Sequence, residues 1–266
     1  MEYKFNLGRN CLKIIIRTYG IKEIFIPYYS CKTIWKAIRE ENCKINFYHI
    51  NQNFMPTCDF PKNSYVLYIN YFGLYENNCQ KLARKYKNLI TDNTQAFYSS
   101  HYGIASFNSL RKFFPVQNGA YLQIEKEPVF NFETDNLKLK TVSIQENYNI
   151  FKQNELILNN ESIKFISPEV EQQMDEIDFE KDKKQRIKAF NKYSQFFDKY
   201  NLIKLPSLDN DIPFCYPLCT NDKTILKKLE NLVILRLWED IPKSFLEYEF
   251  LFNVASFPLK HILELH

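Results

Sequence analysis

The chain has 266 residues, of which 45% are apolar and 16% aromatic, enough to bury a core and unlike the composition of a disordered protein. Its formal charge of +4 is too small to indicate a nucleic-acid partner. The chain has no run of 18 apolar residues and no apolar stretch after Met1. We therefore expect neither a membrane span nor a secretion signal, and we predict a cytoplasmic protein.

The first half of the chain alternates short apolar segments with helical ones. The predicted strands cover residues 23–27, 44–50, 64–69, 88–91, about 104–107 and 119–124. The predicted helices cover residues 9–19, which end at Gly20, residues 30–41, which Ser30 caps, and residues 77–87. This alternation is typical of an α/β fold with a mostly parallel sheet, in which ligands bind where strands end. Asp92 lies at such a strand end.

The pattern changes after about residue 126. Residues 127–165 are polar and irregular, and Ser167-Pro168 begins a long charged helical stretch over 168–200. Further on, a helix at 222–230 is flanked by predicted strands at 213–219 and 232–238. We therefore predict a large α/β domain over residues 1–165 and a small α+β domain over residues 166–266.

The cysteines and histidines predict no metal site and no disulfide framework. The seven cysteines are spread without a CxxC pair, as is typical of reduced thiols. The four histidines do not cluster with cysteines or acids in the sequence, which weighs against a metal or a Cys-His nucleophile; they are His49, His101, His261 and His266.

The segment Ser109-Leu110-Arg111-Lys112 follows a predicted strand. A lysine three residues after a serine is found in many enzymes that use pyridoxal 5′-phosphate (PLP), where the amine binds the cofactor aldehyde and hydroxyl and backbone donors hold the phosphate. The motif also arises by chance in lysine-rich chains, and a solvated lysine is the simpler interpretation of the motif alone. Penicillin-binding proteins carry it too, with a serine nucleophile.

Two further segments could belong to the same cofactor site as Lys112. Asp92 comes about twenty residues before the lysine, and a buried carboxylate there would keep a pyridine nitrogen protonated, although an aspartate at this place also commonly caps a turn. Gly8 precedes a predicted helix, and a glycine there opens backbone N–H groups toward an anion such as phosphate, although an ordinary helix start looks the same.

The order and spacing of these segments resemble the DegT/DnrJ/EryC1/StrS family of PLP-dependent sugar aminotransferases. The resembling segments lie within residues 6–122 and cover 8–12, 26–30, 70–73, 91–95 and 109–119. The resemblance implies PLP-dependent transferase fold type I, with an aspartate aminotransferase-like large domain and a small α+β C-terminal domain, assembled as a homodimer. It implies transfer of an amino group from an amino acid such as glutamate to a nucleotide-linked keto-sugar used for surface glycans.

The same resemblance implies a role for individual residues. Lys112 would form the Schiff base with PLP and carry protons, Asp92 would pair with the pyridinium nitrogen, and Gln95 would contact the ring hydroxyl. Ser109 would hold the phosphate, with Ser106 as the alternative serine. The phosphate would also be bound at the start of the first helix, by Gly8, Arg9 and Asn10.

The chain departs from the family at several places. Cys31 is among the predicted cofactor-binding residues, but many members have an aromatic ring over the cofactor at this position. Stacking on the cofactor would therefore come from Tyr28, Tyr29 or Tyr71. Asn118 replaces an acidic residue, and the chain is short. These departures leave open a degenerate member that binds PLP or a sugar nucleotide without turnover. A second alternative is an unrelated sugar-nucleotide enzyme such as a glycosyltransferase, although the chain has no G-x-G-x-x-G motif.

Overall fold

The computed structural model describes residues 1–142, 147–229, 235–236 and 255–259. The helices in these residues are α1 (Gly8–Tyr19), α2 (Lys32–Glu40), α3 (Glu76–Lys85), α4 (Tyr148–Leu158), α5 (Pro168–Asp175), α6 (Phe179–Phe197) and α7 (Lys223–Leu229). The strands are β1 (Glu2–Phe5), β2 (Glu23–Pro27), β3 (Lys44–Tyr48), β4 (Tyr65–Ile69), β5 (Leu89–Asp92), β6 (Ala105–Phe107), β7 (Ala120–Ile124), β8 (Cys215–Leu218), β9 (Leu235–Arg236) and β10 (Ala255–Pro258). None of the described helices is both long and apolar enough to cross a membrane.

The main sheet has seven strands in the order β1-β7-β6-β5-β4-β2-β3. Strands β2 to β6 are parallel to one another, whereas β7 is antiparallel to both β6 and β1. Strand β5 is buried along its whole length, as is typical of a parallel strand covered on both faces. The predicted α/β architecture with a mostly parallel sheet is confirmed.

Helix α1 shows how local sequence produces this packing. Its apolar positions repeat at helical spacing, and Leu12, Ile15 and Ile16 are buried. The helix ends at Gly20, whose φ of +62° is the left-handed conformation expected of a glycine cap. The predicted helix over residues 9–19 is confirmed, and α1 packs against β6 and β7.

Three local predictions are wrong. Ser30 does not cap α2: the helix follows Cys31 without a side-chain cap, and the Ser30 hydroxyl donates to the Pro27 carbonyl and accepts from Trp35 Nε1 instead. Residues 127–165 are not irregular throughout, because α4 lies within them. The predicted helical stretch over 168–200 is broken, since Asp178 caps a new helix at Phe179.

Strand β1 is an element that the sequence did not predict. It has only four residues, and Glu2 and Lys4 are exposed, so its composition resembles that of a loop. It is a strand because it pairs with β7 over four residues at the edge of the sheet.

The second half of the chain contributes α4 to α7 and a three-stranded sheet in the order β8-β10-β9. The Ser167 hydroxyl accepts from the Val170 N–H, so the predicted helix start there is confirmed. Of the strand predicted at 232–238, Leu235–Arg236 forms β9 and the other positions lie outside the described residues. The division into domains at residue 165 stays a prediction.

The turn after β4 joins the two halves. Phe72 has a φ of +58° and is fully buried, a conformation that a bulky residue adopts only when its surroundings enforce it. Gln95 Oε1 accepts from the Phe72 N–H at 2.8 Å, and the Phe72 carbonyl accepts from the Phe214 N–H at 2.7 Å. Gly73 follows with a φ of +69°. This turn fixes the segment that leads into β8.

Substitution of Gly73 should destabilise the protein through backbone contacts. A Cβ at Gly73 would lie 2.7 Å from the Ile212 carbonyl oxygen and 2.8 Å from that of Gln95, whereas a Cβ at Gly20 would meet nothing within 4 Å. Both glycines have similar positive φ, so Gly20→Ala should cost about 1–2 kcal/mol of unfolding free energy. Gly73→Ala should cost about 1–3 kcal/mol more because of overpacking. Urea unfolding of the two variants measures the difference, and equal losses would contradict the close approach.

Candidate active site

Three parallel strands end at the same level of the sheet. The register aligns Ile69 of β4 with Asp92 of β5, and Asp92 with Phe107 of β6. Residues that follow these strands therefore meet at one edge, which is where α/β sheets bind ligands. The predicted position of Asp92 at a strand end is confirmed.

Asp92 is a buried carboxylate with one unused oxygen. Its side chain is 1% exposed, and Oδ1 accepts from the Thr94 N–H at 2.8 Å. Oδ2 is buried and has no hydrogen-bond partner among the described residues. Burial raises the pKa of Asp92, against the charge of Lys112 and the hydrogen bonds of Thr94, which lower it. An unpaired buried acceptor of this kind suits a ligand that brings its own N–H donor.

Lys112 reaches the same place from the loop between β6 and β7. A short 3₁₀ turn, Leu110–Lys112, carries it, and the Leu110 N–H donates to the Gly119 carbonyl at the far end of the loop. The Lys112 amine donates to Thr94 Oγ1 at 2.9 Å. Burial lowers the pKa of Lys112, while the charges of Asp92 and Cys31 raise it. A depressed pKa favours the neutral, nucleophilic amine.

The N-terminus of α1 completes the group. Leu7 provides no side-chain cap there, so the first backbone N–H groups of the helix are left for another acceptor. A Cβ at Gly8 would lie 2.7 Å from the Asn108 carbonyl oxygen. A glycine is therefore needed at this position, because the loop between β6 and β7 that carries Lys112 (the lysine loop) approaches the helix so closely. The Gly119 N–H also donates to the Asn6 carbonyl, which ties the loop to the start of α1. An anion would be bound here by backbone N–H groups and the helix dipole.

The side chains of Arg9 and Asn10 are already engaged elsewhere. Arg9 donates to Asn159 at 2.6 Å and pairs with Glu155, and Asn10 Nδ2 donates to Asn6 Oδ1 and to the Ser162 carbonyl. The Asn10 backbone N–H is also used, since it donates to the Leu7 carbonyl at 3.0 Å. Of these two residues, only Arg9 would therefore offer a backbone N–H to an anion, and the role predicted for both stays a prediction.

The two candidate serines have different environments. Ser106 pairs with Thr91 and Phe107 with Asp92, so Ser106 faces away from Asp92 because side chains alternate along a strand. Its hydroxyl contacts His101 Nδ1 at 2.8 Å, and it lines a separate cavity of about 150 Å³. Ser109, in contrast, precedes the turn of Lys112 and is 9% exposed. The geometry favours Ser109.

Cys31 and the tyrosines lie at the neighbouring strand end. Cys31 is half-buried, and its Sγ contacts Thr33 Oγ1 at 2.9 Å. Cys31 lies within electrostatic range of both Lys112 and Arg9. Tyr29 and Tyr71 stack on each other with ring centroids 5.9 Å apart, and the Tyr71 hydroxyl donates to the Tyr29 carbonyl. Both rings, like that of Tyr28, are buried.

Gln95 is 1% exposed and lies on the loop after Asp92. Its Oε1 is used by the Phe72 N–H, as described above. Any contact with a ligand would therefore come from its amide nitrogen.

Helix α4 carries a residue that the sequence did not identify. Glu155 pairs through Oε1 with Arg9 and through Oε2 with Arg111. The Arg111 guanidinium also lies 4.0 Å from the centroid of the Phe151 ring. These contacts form a clamp that holds helix α4 against the start of α1 and the lysine loop. No sequence signal pointed to Glu155, whereas Arg111 and Thr94 lay inside motifs already noted.

The triplet Asp209-Asn210-Asp211 has the D-x-D form of a glycosyltransferase metal site. Asp209 instead accepts from the Ser207 hydroxyl, and burial together with the charge of Glu76 raises the pKa of Asp211 to about 7. Across the described ranges, no group of three histidines, cysteines or acids is placed to hold a metal ion. The geometry gives no support to the glycosyltransferase alternative.

Solved structures of aminotransferases share this fold at low sequence identity. A DegT DnrJ EryC1 StrS aminotransferase from Brucella abortus is 12% identical over 97% of this chain and 80% of its own, with a TM-score of 0.60. Helicobacter pylori PseC, an aminotransferase involved in the biosynthesis of pseudoaminic acid, is 15% identical over 97% and 81%, with a TM-score of 0.59. NtdA of Bacillus subtilis, with bound cofactor PMP, is 14% identical over 97% and 68%, with a TM-score of 0.63.

These likenesses confirm the predicted fold class. No family model and no curated protein matches the chain.

Breaking the clamp on α4 should destabilise the protein. The Arg9, Arg111 and Glu155 side chains are 12%, 6% and 24% exposed, so Glu155→Gln leaves two buried guanidinium groups without a counter-charge. The expected loss of unfolding free energy is on the order of 3 kcal/mol, measured by urea denaturation. Glu180→Gln, which breaks the exposed pair with Lys183, is the control and should cost less than about 1 kcal/mol. Equal losses would mean that the buried clamp contributes no more to stability than an exposed ion pair.

Proposed function

We propose that the protein is a PLP-dependent aminotransferase that transfers an amino group from an amino acid, such as glutamate, to a nucleotide-linked keto-sugar. The observation that carries the proposal is the unpartnered Oδ2 of buried Asp92 at the same strand edge as the Lys112 amine. A solvated lysine would need no buried carboxylate, and an aspartate that only caps a turn would not leave one oxygen unpaired inside the protein.

The residues present fit PLP at both of its ends. Asp92 Oδ2 would accept a hydrogen bond from the ring nitrogen and hold its proton there. The N-terminus of α1 at Gly8, together with Ser109, would bind the phosphate through backbone N–H groups and a hydroxyl. When bound, PLP supplies the electron sink that stabilises negative charge on the alpha carbon of an amino acid.

Lys112 would transfer the proton during transamination. Its amine would bind the cofactor covalently at rest and, once released, take the proton from the alpha carbon of the amino donor. Burial lowers the pKa of Lys112 and so favours the neutral form of the amine. Thr94 Oγ1 holds this amine at the strand edge, and Asp92 in turn accepts from the Thr94 N–H.

The sugar acceptor and its role in surface glycans are supported by the structural relatives, since the Helicobacter pylori protein is involved in the biosynthesis of pseudoaminic acid. We also propose a homodimer in the cytoplasm. Val129 and Leu156 are 89% and 73% exposed, and a second copy of the chain would cover such apolar side chains.

The first test is the absorption spectrum of the protein with added PLP. The wild type should show a visible or near-ultraviolet band and, after borohydride, a PLP adduct on the peptide that contains Lys112. Lys112→Ala should lose both, whereas Lys87→Ala, which changes an exposed lysine, should keep both. A protein that binds no PLP would overturn the proposal. A band that no amino donor converts would support the degenerate, non-catalytic alternative.

The second test separates the role of Asp92 in function from its effect on stability. Asp92→Asn keeps an acceptor for the Thr94 N–H but cannot carry the charge, so transamination should fall by about 100-fold or more. The raised pKa of Asp92 contributes stability below its ordinary value of 3.8 that is lost as pH rises through the higher folded value.

Relative to the wild type, the Asp92→Asn apoprotein should therefore gain stability as pH rises from about 3 toward 8. Thermal unfolding over this range measures the gain. A relative loss with rising pH would show that the Asp92 charge stabilises the fold, which contradicts this account.

A further inference from the structure

Thr94 contacts each of the three elements that form the site. Its Oγ1 accepts from the Lys112 amine at 2.9 Å, and its backbone N–H donates to Asp92 Oδ1 at 2.8 Å. Its methyl group would lie 3.4 Å from a Cβ at Gly8. One side chain therefore lies between the lysine, the carboxylate and the start of α1.

The backbone around Thr94 is held rigidly. The Asn93 N–H donates to the Phe107 carbonyl at 2.8 Å, and the Ala96 N–H donates to the Asn93 carbonyl at 2.8 Å. A threonine is stiff at χ1 because it is branched at Cβ. With the methyl group directed at Gly8, the hydroxyl direction is fixed as well.

A hydroxyl is a suitable partner for this lysine. The lysine side chain is long, flexible and loses much rotamer entropy when it is ordered. Within the described part of the chain, the hydrogen-bond partner of the Lys112 amine is Thr94 Oγ1. A carboxylate at this distance would hold the amine as an ammonium ion, whereas a neutral hydroxyl orients it and leaves burial free to favour the neutral form.

We propose that Thr94 is the positioning residue of this site: its hydroxyl orients the Lys112 amine while its backbone orients Asp92. The role in catalysis rests on the function proposed above. The contact itself belongs to the apoprotein, so it is testable without PLP.

The test is competitive labelling of the apoprotein with trace acetic anhydride across a range of pH. Mass spectrometry of the peptide that contains Lys112 gives the midpoint of its titration, and exposed Lys87 in the same digest is the internal reference. Thr94→Val keeps the shape and removes the hydroxyl. The acceptor stabilises the charged amine more than the neutral one, so its loss should move the Lys112 midpoint down by about one pH unit.

Thr94→Ser restores the hydroxyl and should return the midpoint to the wild-type value. Thr94→Ala replaces Thr94→Val if the latter fails to fold, and the same downward shift is expected. A Lys112 midpoint that stays constant in Thr94→Val or Thr94→Ala would overturn the proposal, as would failure of Thr94→Ser to restore it. Because the labelling needs no cofactor, a protein that binds no PLP would refute the aminotransferase function and leave this result readable.

Discussion

The level at which β4, β5 and β6 end determines the rest of the site. Because Ile69, Asp92 and Phe107 are in register, the turn after each strand starts at the same edge. A slip of one residue would direct Asp92 to the opposite face, since side chains alternate along a strand. The lysine loop and the start of α1 then join this edge through the contact between Gly8 and the Asn108 carbonyl.

The few charged groups at this edge differ in their environment. Burial raises the pKa of Asp92 and lowers that of Lys112, so each group favours its neutral form more than it would in water. Two arginines lie nearby, and both Arg9 and Arg111 form ion pairs with the single carboxylate of Glu155. The charge of Arg9 still contributes to the lowered pKa of Lys112.

The second half of the chain depends on the first for its placement. The strained turn at Phe72 and Gly73 is held by Gln95 from one side and by the backbone of Phe214 from the other. Gln95 lies three residues after Asp92, so the loop that carries the carboxylate also supports the entry to β8. Structural and functional demands on residues 92–95 are therefore hard to separate by deletion, whereas conservative substitutions can separate them.

The sequence by itself determined the elements whose signals are local. Periodic apolar residues and the glycine cap placed α1, the short apolar runs placed the parallel strands, and the spacing of Asp92 and Lys112 marked the candidate site. The tertiary structure alone decided what depends on distant residues. Strand β1 exists because of its pairing with β7, Ser106 is excluded from the lysine side by the register with Thr91, and Glu155 joins the site across more than 140 residues of chain. Hydrogen bonds and ion pairs between residues far apart in sequence produce no periodic pattern in the sequence. Their partners depend on how the backbone packs and not on neighbouring residues.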